Sequence, residues 1–414
     1  MMLKKSSSNF KKNYFCRLCE AKKLTKAIDL GKTPLANSFS STIKKKELLV
    51  PLGVDFCNNC FHLQLTHIAN PRKMFENYLY VSGTSNVTRT HFKSYGENLK
   101  KIFKNKKKTK ILDIASNDGT FLKNFESEKF DAYGIDPAKN LNKNIKEKNL
   151  KIITGFFSKK KSVEIKKNCG VFDIVTANNV FAHVDNLIDF SKGVKNILDK
   201  NGIFVFEVSY LIEVLKKNTF DTIYHEHMSF HAYYPLETFF KNLDMRIYDY
   251  KLTKVQGGSI RFYVCHKNGK YKKNRKLNDL KLIELKKFKI DKLETYKKMQ
   301  NIILKKKDRI KKLISNLTYK KKFLIGYGAA AKTTTLLNYF GITNKHFNFI
   351  VDDNPLKQNK FTPGTKIPIK SSDNIYKENV DYIFLLSWNF SNSIILKHKK
   401  FVKGGGVFID IHSI

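Results

Sequence analysis

Short apolar runs separated by polar turns dominate the chain from residue 111 onward. Ile111-Leu112-Asp113-Ile114-Ala115 reads as a buried strand, Ser116-Asn117-Asp118-Gly119 as a turn, and Thr120 to Phe125 as the opening of a helix. Further strands are expected over Ala132 to Ile135, closing on Asp136-Pro137; over Phe172 to Ala177, closing on Asn178-Asn179; and over Gly202 to Val208. With helical segments such as Asn186 to Leu198 between them, these predict a parallel, doubly wound sheet, whose ligands lie at the carboxyl ends of its strands. From Asp279 to Leu317 apolar residues recur at helical spacing (Leu282, Leu285, Tyr296, Met299, Ile303, Ile310, Ile314, Leu317), which predicts an amphipathic connector packed on the chain's own domains. A second doubly wound unit opens with Phe323-Leu324-Ile325, the turn Gly326-Tyr327-Gly328 and a helix start at Ala329 to Thr333, and continues through Phe349 to Val351 and Tyr382 to Leu386. The predicted class is α/β, with a small N-terminal module over 1–75, a doubly wound domain over 76–270, a helical connector over 271–320 and a second doubly wound domain over 321–414.

Cysteine usage gives the N-terminal module its character. Cys16-x-x-Cys19 and Cys57-x-x-Cys60 are paired units, and Gly31, Pro34, Pro51 and Gly53 supply turns that bring the second pair back to the first. They read as a four-thiolate zinc site. Disulfides are the weaker alternative in a cytosolic protein. Four thiolates leave no open coordination position, so the metal should hold the fold and do no chemistry. Replacing Cys57 should then unfold this module and spare cofactor binding. Cys169 and Cys265 stand alone in apolar stretches.

Composition excludes several classes. At 414 residues, 42% hydrophobic and 13% aromatic, with 20 Gly and 8 Pro, the chain is neither collagen-like nor disordered. Its longest apolar runs, Ile203 to Val208 and Tyr382 to Trp388, are strand-sized, so no membrane span is expected. Met1 to Lys12 is basic with no apolar segment behind it, which makes a secretory signal unexpected and a cytoplasmic location the expectation. The net charge of +42 points on its face to a polyanion. The charge is overwhelmingly Lys in scattered clusters, however, and Arg17 alone lies between the paired cysteines, so a solvated surface without stable nucleic-acid binding is the preferred reading.

The turn after Asp113 lets a nucleoside approach the backbone, and Asp136, about 20 residues on, can accept hydrogen bonds from two ribose hydroxyls. A dinucleotide loop uses three glycines; here Gly119 remains, with Ala115 and Asn117 elsewhere in the loop, which favours S-adenosylmethionine over NAD. Tyr224-His225-Glu226-His227, soon followed by His231, is dense in proton-exchanging groups; acid–base work is preferred over a turn with exposed histidines or a metal cluster. The lone Gly326-x-Gly-x-x-Ala331 motif is a weak sign of NAD, and Lys332-Thr333 at the helix start would suit phosphate.

Asp113-Ile-Ala-Ser-Asn-Asp-Gly119, Asn179-Val-Phe-Ala-His183, Tyr224-His-Glu-His227 and Gly257-Gly-Ser-Ile-Arg261 stand in that order behind a four-Cys module and ahead of Gly326-Tyr-Gly-Ala-Ala-Ala-Lys332. In this order they resemble the S-adenosylmethionine-dependent nucleotide-sugar C-methyltransferase family. The resemblance implies a zinc-binding domain, a class I methyltransferase Rossmann-like domain and a degenerate Rossmann-like domain that contacts the nucleotide. It implies methylation of a ketodeoxysugar, carried on a nucleoside diphosphate, at a carbon beside the ketone through an enolate. His227 then takes the place of the proton acceptor, with Glu226, Tyr224, Tyr80 and His183 as further catalytic candidates. Asp113, Ala115, Asn117, Gly119, Asp136 and Asn179 would line the cofactor, and Lys332, Thr333 and Arg261 the substrate. A packed aromatic at Tyr80, a core histidine at His183 and a purely structural C-terminal domain are the bland alternatives. The rival functions are a zinc-containing RNA methyltransferase, in which lysines grip phosphate, and a non-enzymatic nucleic-acid-binding protein.

Overall fold

The computed structural model describes residues 9–76, 81–142 and 150–414. Its centre is a seven-stranded sheet in the order Met245–Thr253, Ser259–His266, Leu198–Ser209, Phe172–Asn178, Thr109–Ile114, Phe130–Asp136, Leu150–Thr154. The last five of these run parallel, and the first two add an antiparallel hairpin on one edge. Strand order reverses at Thr109–Ile114, the switch point at which a crevice opens beyond the carboxyl ends. Inward residues such as Leu112, Val175 and Phe204 are fully buried, as the apolar runs require of a sheet covered on both faces.

The segment after the first turn departs from the expected helix. It forms only a 3₁₀ turn, Leu122–Phe125. The Asn124 side-chain amide donates to the Thr120 and Phe121 carbonyls and so competes with a regular helix, while Phe121 and Phe125 are held edge-to-face at 5.4 Å.

The N-terminal module is an antiparallel sheet of Leu24–Pro34, Leu49–Cys57 and Leu63–Leu65, beside a small pairing of Phe10–Lys12 with His67–Ala69. Ser229–Phe230 adds a fourth strand, Ser229 opposite Gln64 and Phe230 opposite Leu63. The segment carrying Tyr224 to His227 is therefore stitched directly into the cysteine-bearing module.

The connector is helical but broken. Helix Lys276–Leu282 passes into a π turn, Ile283–Lys287, and a second helix, Leu293–Tyr319, follows. Buried Glu284 is the cause: its carboxylate accepts the Tyr233 and Tyr234 amides and the Tyr210 hydroxyl, each at 2.8 Å, and the chain turns to deliver it. Leu282 consequently faces solvent, whereas Tyr296, Met299, Ile303, Ile310, Ile314 and Leu317 pack inward. The C-terminal domain is a five-stranded parallel sheet in the order Ile369–Lys370, Ile350–Val351, Leu324–Tyr327, Tyr382–Leu385, Val407–Asp410. One apolar core joins the units, with Phe56 on Tyr296 at 5.6 Å and Phe220 on Phe340 at 5.2 Å. No helix among the described residues is long and apolar enough to cross a membrane.

Candidate active site and metal centre

Each Cys-x-x-Cys turn ends in a left-handed residue, Glu20 at φ 58° and Phe61 at φ 63°, whose amide donates 2.9 Å to the carbonyl of the first cysteine. The two turns face one another. All four sulfurs lie within 4.8 Å, with Cys16–Cys60 at 3.5 Å and Cys19–Cys57 at 3.6 Å. A tetrahedral ion with bonds of about 2.3 Å sets ligand sulfurs roughly 3.8 Å apart, so the four thiolates fit zinc and close its coordination shell. Amides of Asn59 donate to Cys19 and Cys57, the outer support expected of such a site. Arg17, between the first two cysteines, is turned inward, donating to the Val184 carbonyl and to Ser229 Oγ. Burial lowers its pKa to about 10.

Beyond the carboxyl ends of the central strands lies a cavity of about 1020 Å³. Ala115, Asn117 and Asn179 line it in left-handed conformations, φ 58°, 54° and 57°. Non-glycine residues reach that region at a cost, so these positions mark two loops, one after Thr109–Ile114 and one after Phe172–Asn178, shaped by their neighbours. Asp136 fixes the first of them: Oδ2 accepts the Asn117 amide at 2.9 Å and Oδ1 the Ala138 amide at 2.7 Å. Burial raises the Asp136 pKa against these two donors, and its carboxylate stays at the cavity wall. This cradle fits the nucleoside of S-adenosylmethionine. Asp136→Ala should weaken S-adenosylmethionine binding by about 1.5–3 kcal/mol, the usual worth of a charged hydrogen bond. Calorimetry reads this directly, and an unchanged affinity would remove Asp136 from the site.

His183, Tyr224, Glu226 and His227 line the same cavity. His227 Nδ1 donates to the Thr222 carbonyl at 2.7 Å, which fixes the tautomer and leaves the Nε2 lone pair free to accept the Tyr224 hydroxyl at 2.7 Å. Burial takes the His227 pKa down to about 4, with Lys332 pushing the same way against the Thr222 bond. His183 lies 5.0 Å from His227 between ring centroids and stacks on Phe75, and burial holds it well below the ordinary histidine range. Glu226 accepts from the side-chain amide of Asn37, a residue of the N-terminal module. His225 points the other way and donates to the Val50 carbonyl at 3.2 Å. Tyr80 lies outside the described residues.

The C-terminal domain supplies a further part of the wall. Gly328, Ala330, Ala331 and Lys332 line it together with Asp353, Ser387 and Asn389. Gly328, at φ 99°, has no room for a Cβ, which would stand 2.0 Å from Ser387 Oγ. Lys332 Nζ lies 4.1 Å over the Trp388 ring and donates to Asn389; burial lowers its pKa to about 8. Asp352 accepts the Ala329 amide at 2.7 Å and thereby occupies the loop amide itself.

Four residues expected to touch ligands stand off the wall. Arg261 is buried in a double hydrogen bond to Glu207 at 2.8 and 3.0 Å, its guanidinium over the Tyr95 ring, because Glu207 lies opposite it in the sheet register. Thr333 returns its hydroxyl to the Gly328 carbonyl at 2.8 Å and packs inside the domain. Asp113 accepts from Thr176 Oγ1 at 2.6 Å and Asn178 Nδ2 at 3.2 Å beneath the loop, where burial raises its pKa to about 7. Gly119, at φ 75°, makes the turn and supplies no wall. Sequence reasoning missed Asn37, which no periodicity marks, and His91, which lines the cavity with Nε2 2.7 Å from Glu207. The three- and four-residue spacing of Ser85, Thr88, His91 and Phe92 is the signal that could have found the latter.

Family models match nearly the whole length in three pieces: a zinc binding domain over 16–75, a methyltransferase domain over 87–248 and a C-methyltransferase C-terminal domain over 254–411. The chain is similar to the C-methyltransferase NovU of Streptomyces niveus, 29% identical over 396 residues, covering 95% of this chain and 94% of the relative. Among solved structures it overlaps the PH0226 protein of Pyrococcus horikoshii OT3 at 19% identity and a TM-score of 0.35, over 45% of this chain and 94% of that one. It overlaps the magnesium protoporphyrin IX methyltransferase of Synechocystis PCC 6803, solved with bound SAH, at 12% identity and a TM-score of 0.33, over 44% and 88%.

Proposed function

Because the chain belongs to the S-adenosylmethionine-dependent C-methyltransferases built from a zinc-binding, a methyltransferase and a C-methyltransferase C-terminal domain, we propose that its acceptor is a ketodeoxysugar carried on a nucleoside diphosphate, methylated at the carbon beside the ketone. One observation carries this reading. A single cavity is lined by the nucleoside cradle, by a neutral histidine bonded to a tyrosine, and by a half-buried lysine of the C-terminal domain. S-adenosylmethionine, when bound, supplies an electrophilic methyl group on sulfur.

The chain's own residues handle the acceptor. A ketone oxygen entering beside Tyr224 takes over the phenol's hydrogen bond and so releases His227 Nε2. The freed lone pair accepts the proton on the adjacent carbon, while Nδ1 keeps its bond to Thr222 and the imidazolium stays in place. The electron pair of the broken C–H bond moves onto the ketone oxygen, where the Tyr224 hydroxyl and His183 are the donors for the enolate. Glu226, steadied by Asn37, holds a sugar hydroxyl. Lys332 pairs with the diphosphate. Lys332→Met should raise KM for a nucleoside-diphosphate ketodeoxyhexose about tenfold or more, with S-adenosylmethionine affinity unchanged, as loss of one charge-assisted contact implies. An unchanged KM would remove the diphosphate from this part of the cavity.

A further inference from the structure

The C-terminal domain reaches the base through a strap that ligand contact does not explain. Asp221, fully buried, belongs to the 3₁₀ turn Phe220–Thr222 that ends just before Tyr224. Its Oδ2 accepts the Trp388 indole N–H at 2.7 Å and faces His412 Nε2 at 3.2 Å, both from the C-terminal domain. His412 is held in turn by Lys306 of the connector, whose ammonium donates to the His412 carbonyl at 2.7 Å. Thr335 Oγ1 donates to the Ile223 carbonyl at 2.8 Å, and the Phe220 ring packs on Phe340. Residues 220–223 are thus gripped on both sides of Thr222. The Thr222 carbonyl is the acceptor that fixes the His227 tautomer. Burial works against ionisation of Asp221, yet His412, Lys332 and the Trp388 N–H outweigh it and hold its pKa below the ordinary value.

We infer that Asp221 is a positioning residue through which the C-terminal domain sets the orientation and tautomer of His227. The C-terminal domain then completes the catalytic pair as well as facing the substrate. This rests on the reading of His227 as the base. A carbonyl free to rotate would let the imidazole exchange tautomers, and Nε2 would carry the hydrogen for part of the time and could not accept another. Trp388 sits on both sides of this device: its N–H bonds Asp221 and its ring lies under Lys332.

Full-length Asp221→Ala, Asp221→Asn and His227→Asn variants, with ¹⁵N-labelled histidine, test the strap. The His227 signal is identified by its loss in the last variant. Asp221→Ala should replace the fixed Nδ1–H pattern of His227 by averaged nitrogen shifts. It should slow deuterium wash-in beside the ketone of a nucleoside-diphosphate ketodeoxyhexose about 100-fold, the scale of a misplaced group, with KM for that compound changed less than threefold. Asp221→Asn, which keeps an oxygen for the Trp388 N–H, should recover most of both. If Asp221→Ala fails to fold, Trp388→Phe, which keeps an aromatic ring beside Lys332 but has no N–H for Asp221, should reproduce the averaged signal. An unchanged His227 signal with wild-type wash-in overturns the inference, as does a raised KM with wash-in at saturation unchanged. Wild-type wash-in in His227→Asn overturns the base reading and the strap together, whereas loss there with none in Asp221→Ala sinks the strap alone.

Discussion

His227→Asn should abolish both exchange of the sugar proton beside the ketone and methyl transfer, a loss of 10² to 10⁴-fold or more on the usual worth of a general base, with both ligands still bound. The amide can reproduce the bond to the Thr222 carbonyl, so the cavity keeps its shape. It cannot accept the proton. The pH dependence carries a sign that separates this base from an ordinary surface histidine. With the folded pKa near 4, His227 is already neutral above pH about 5, and the acid limb of the exchange rate should fall near pH 4, not near 6.5. The same shift makes folding stability rise with pH between about 4 and 6.5, because the unfolded chain binds the proton that the folded one refuses. Wash-in continuing at the wild-type rate in the Asn variant moves the base to Tyr224 or Glu226.

Cys57→Ser should cost nearly all methyl transfer while leaving S-adenosylmethionine affinity within a few-fold of wild type. Structural zinc contributes about 10–16 kcal/mol to the folding of small zinc modules, and three thiolates do not close the shell. Unfolding of this module reaches the base through its contacts. Leu63–Leu65 pairs with Ser229–Phe230, the Leu65 amide donates to the Met228 carbonyl at 3.0 Å, and Asn37 steadies Glu226. Losing the module therefore frees the segment that carries Tyr224 and His227, whereas the loops at Ala115 and Asp136 keep their own sheet. Metal analysis with calorimetry and a turnover assay reads all three quantities. A metal-free variant with full turnover would contradict the account.

The strands at the site were legible because each is a buried apolar run ending in a polar turn, and Asp136 was legible because its position relative to Asp113 follows from one strand–turn–strand repeat. Side-chain partners across strands were not. Arg261 stands in a motif that precedes a site segment in no physical sense: only the register that sets it opposite Glu207 shows that its charge is already satisfied. Thr333 looked like a phosphate donor because it follows Lys332 at a helix start, but one residue turns the helix by about 100°, and its hydroxyl faces Gly328. The break in the connector depends on Glu284 meeting two amides some fifty residues earlier in the chain, a contact with no local trace. Ala115 stands at φ 58°, a backbone conformation that favours glycine and that no residue pattern along the chain discloses.

The most direct measurement is the carbon to which the methyl group becomes attached. The enzyme is supplied with S-adenosylmethionine labelled with ¹³C in the methyl group and with a nucleoside-diphosphate ketodeoxyhexose uniformly ¹³C-labelled in the sugar, and the product is examined by ¹³C NMR. A one-bond carbon–carbon coupling between the new methyl and the ring carbon beside the carbonyl is expected. A label bonded to oxygen or nitrogen, or carried by a polynucleotide and not by the sugar, would contradict it.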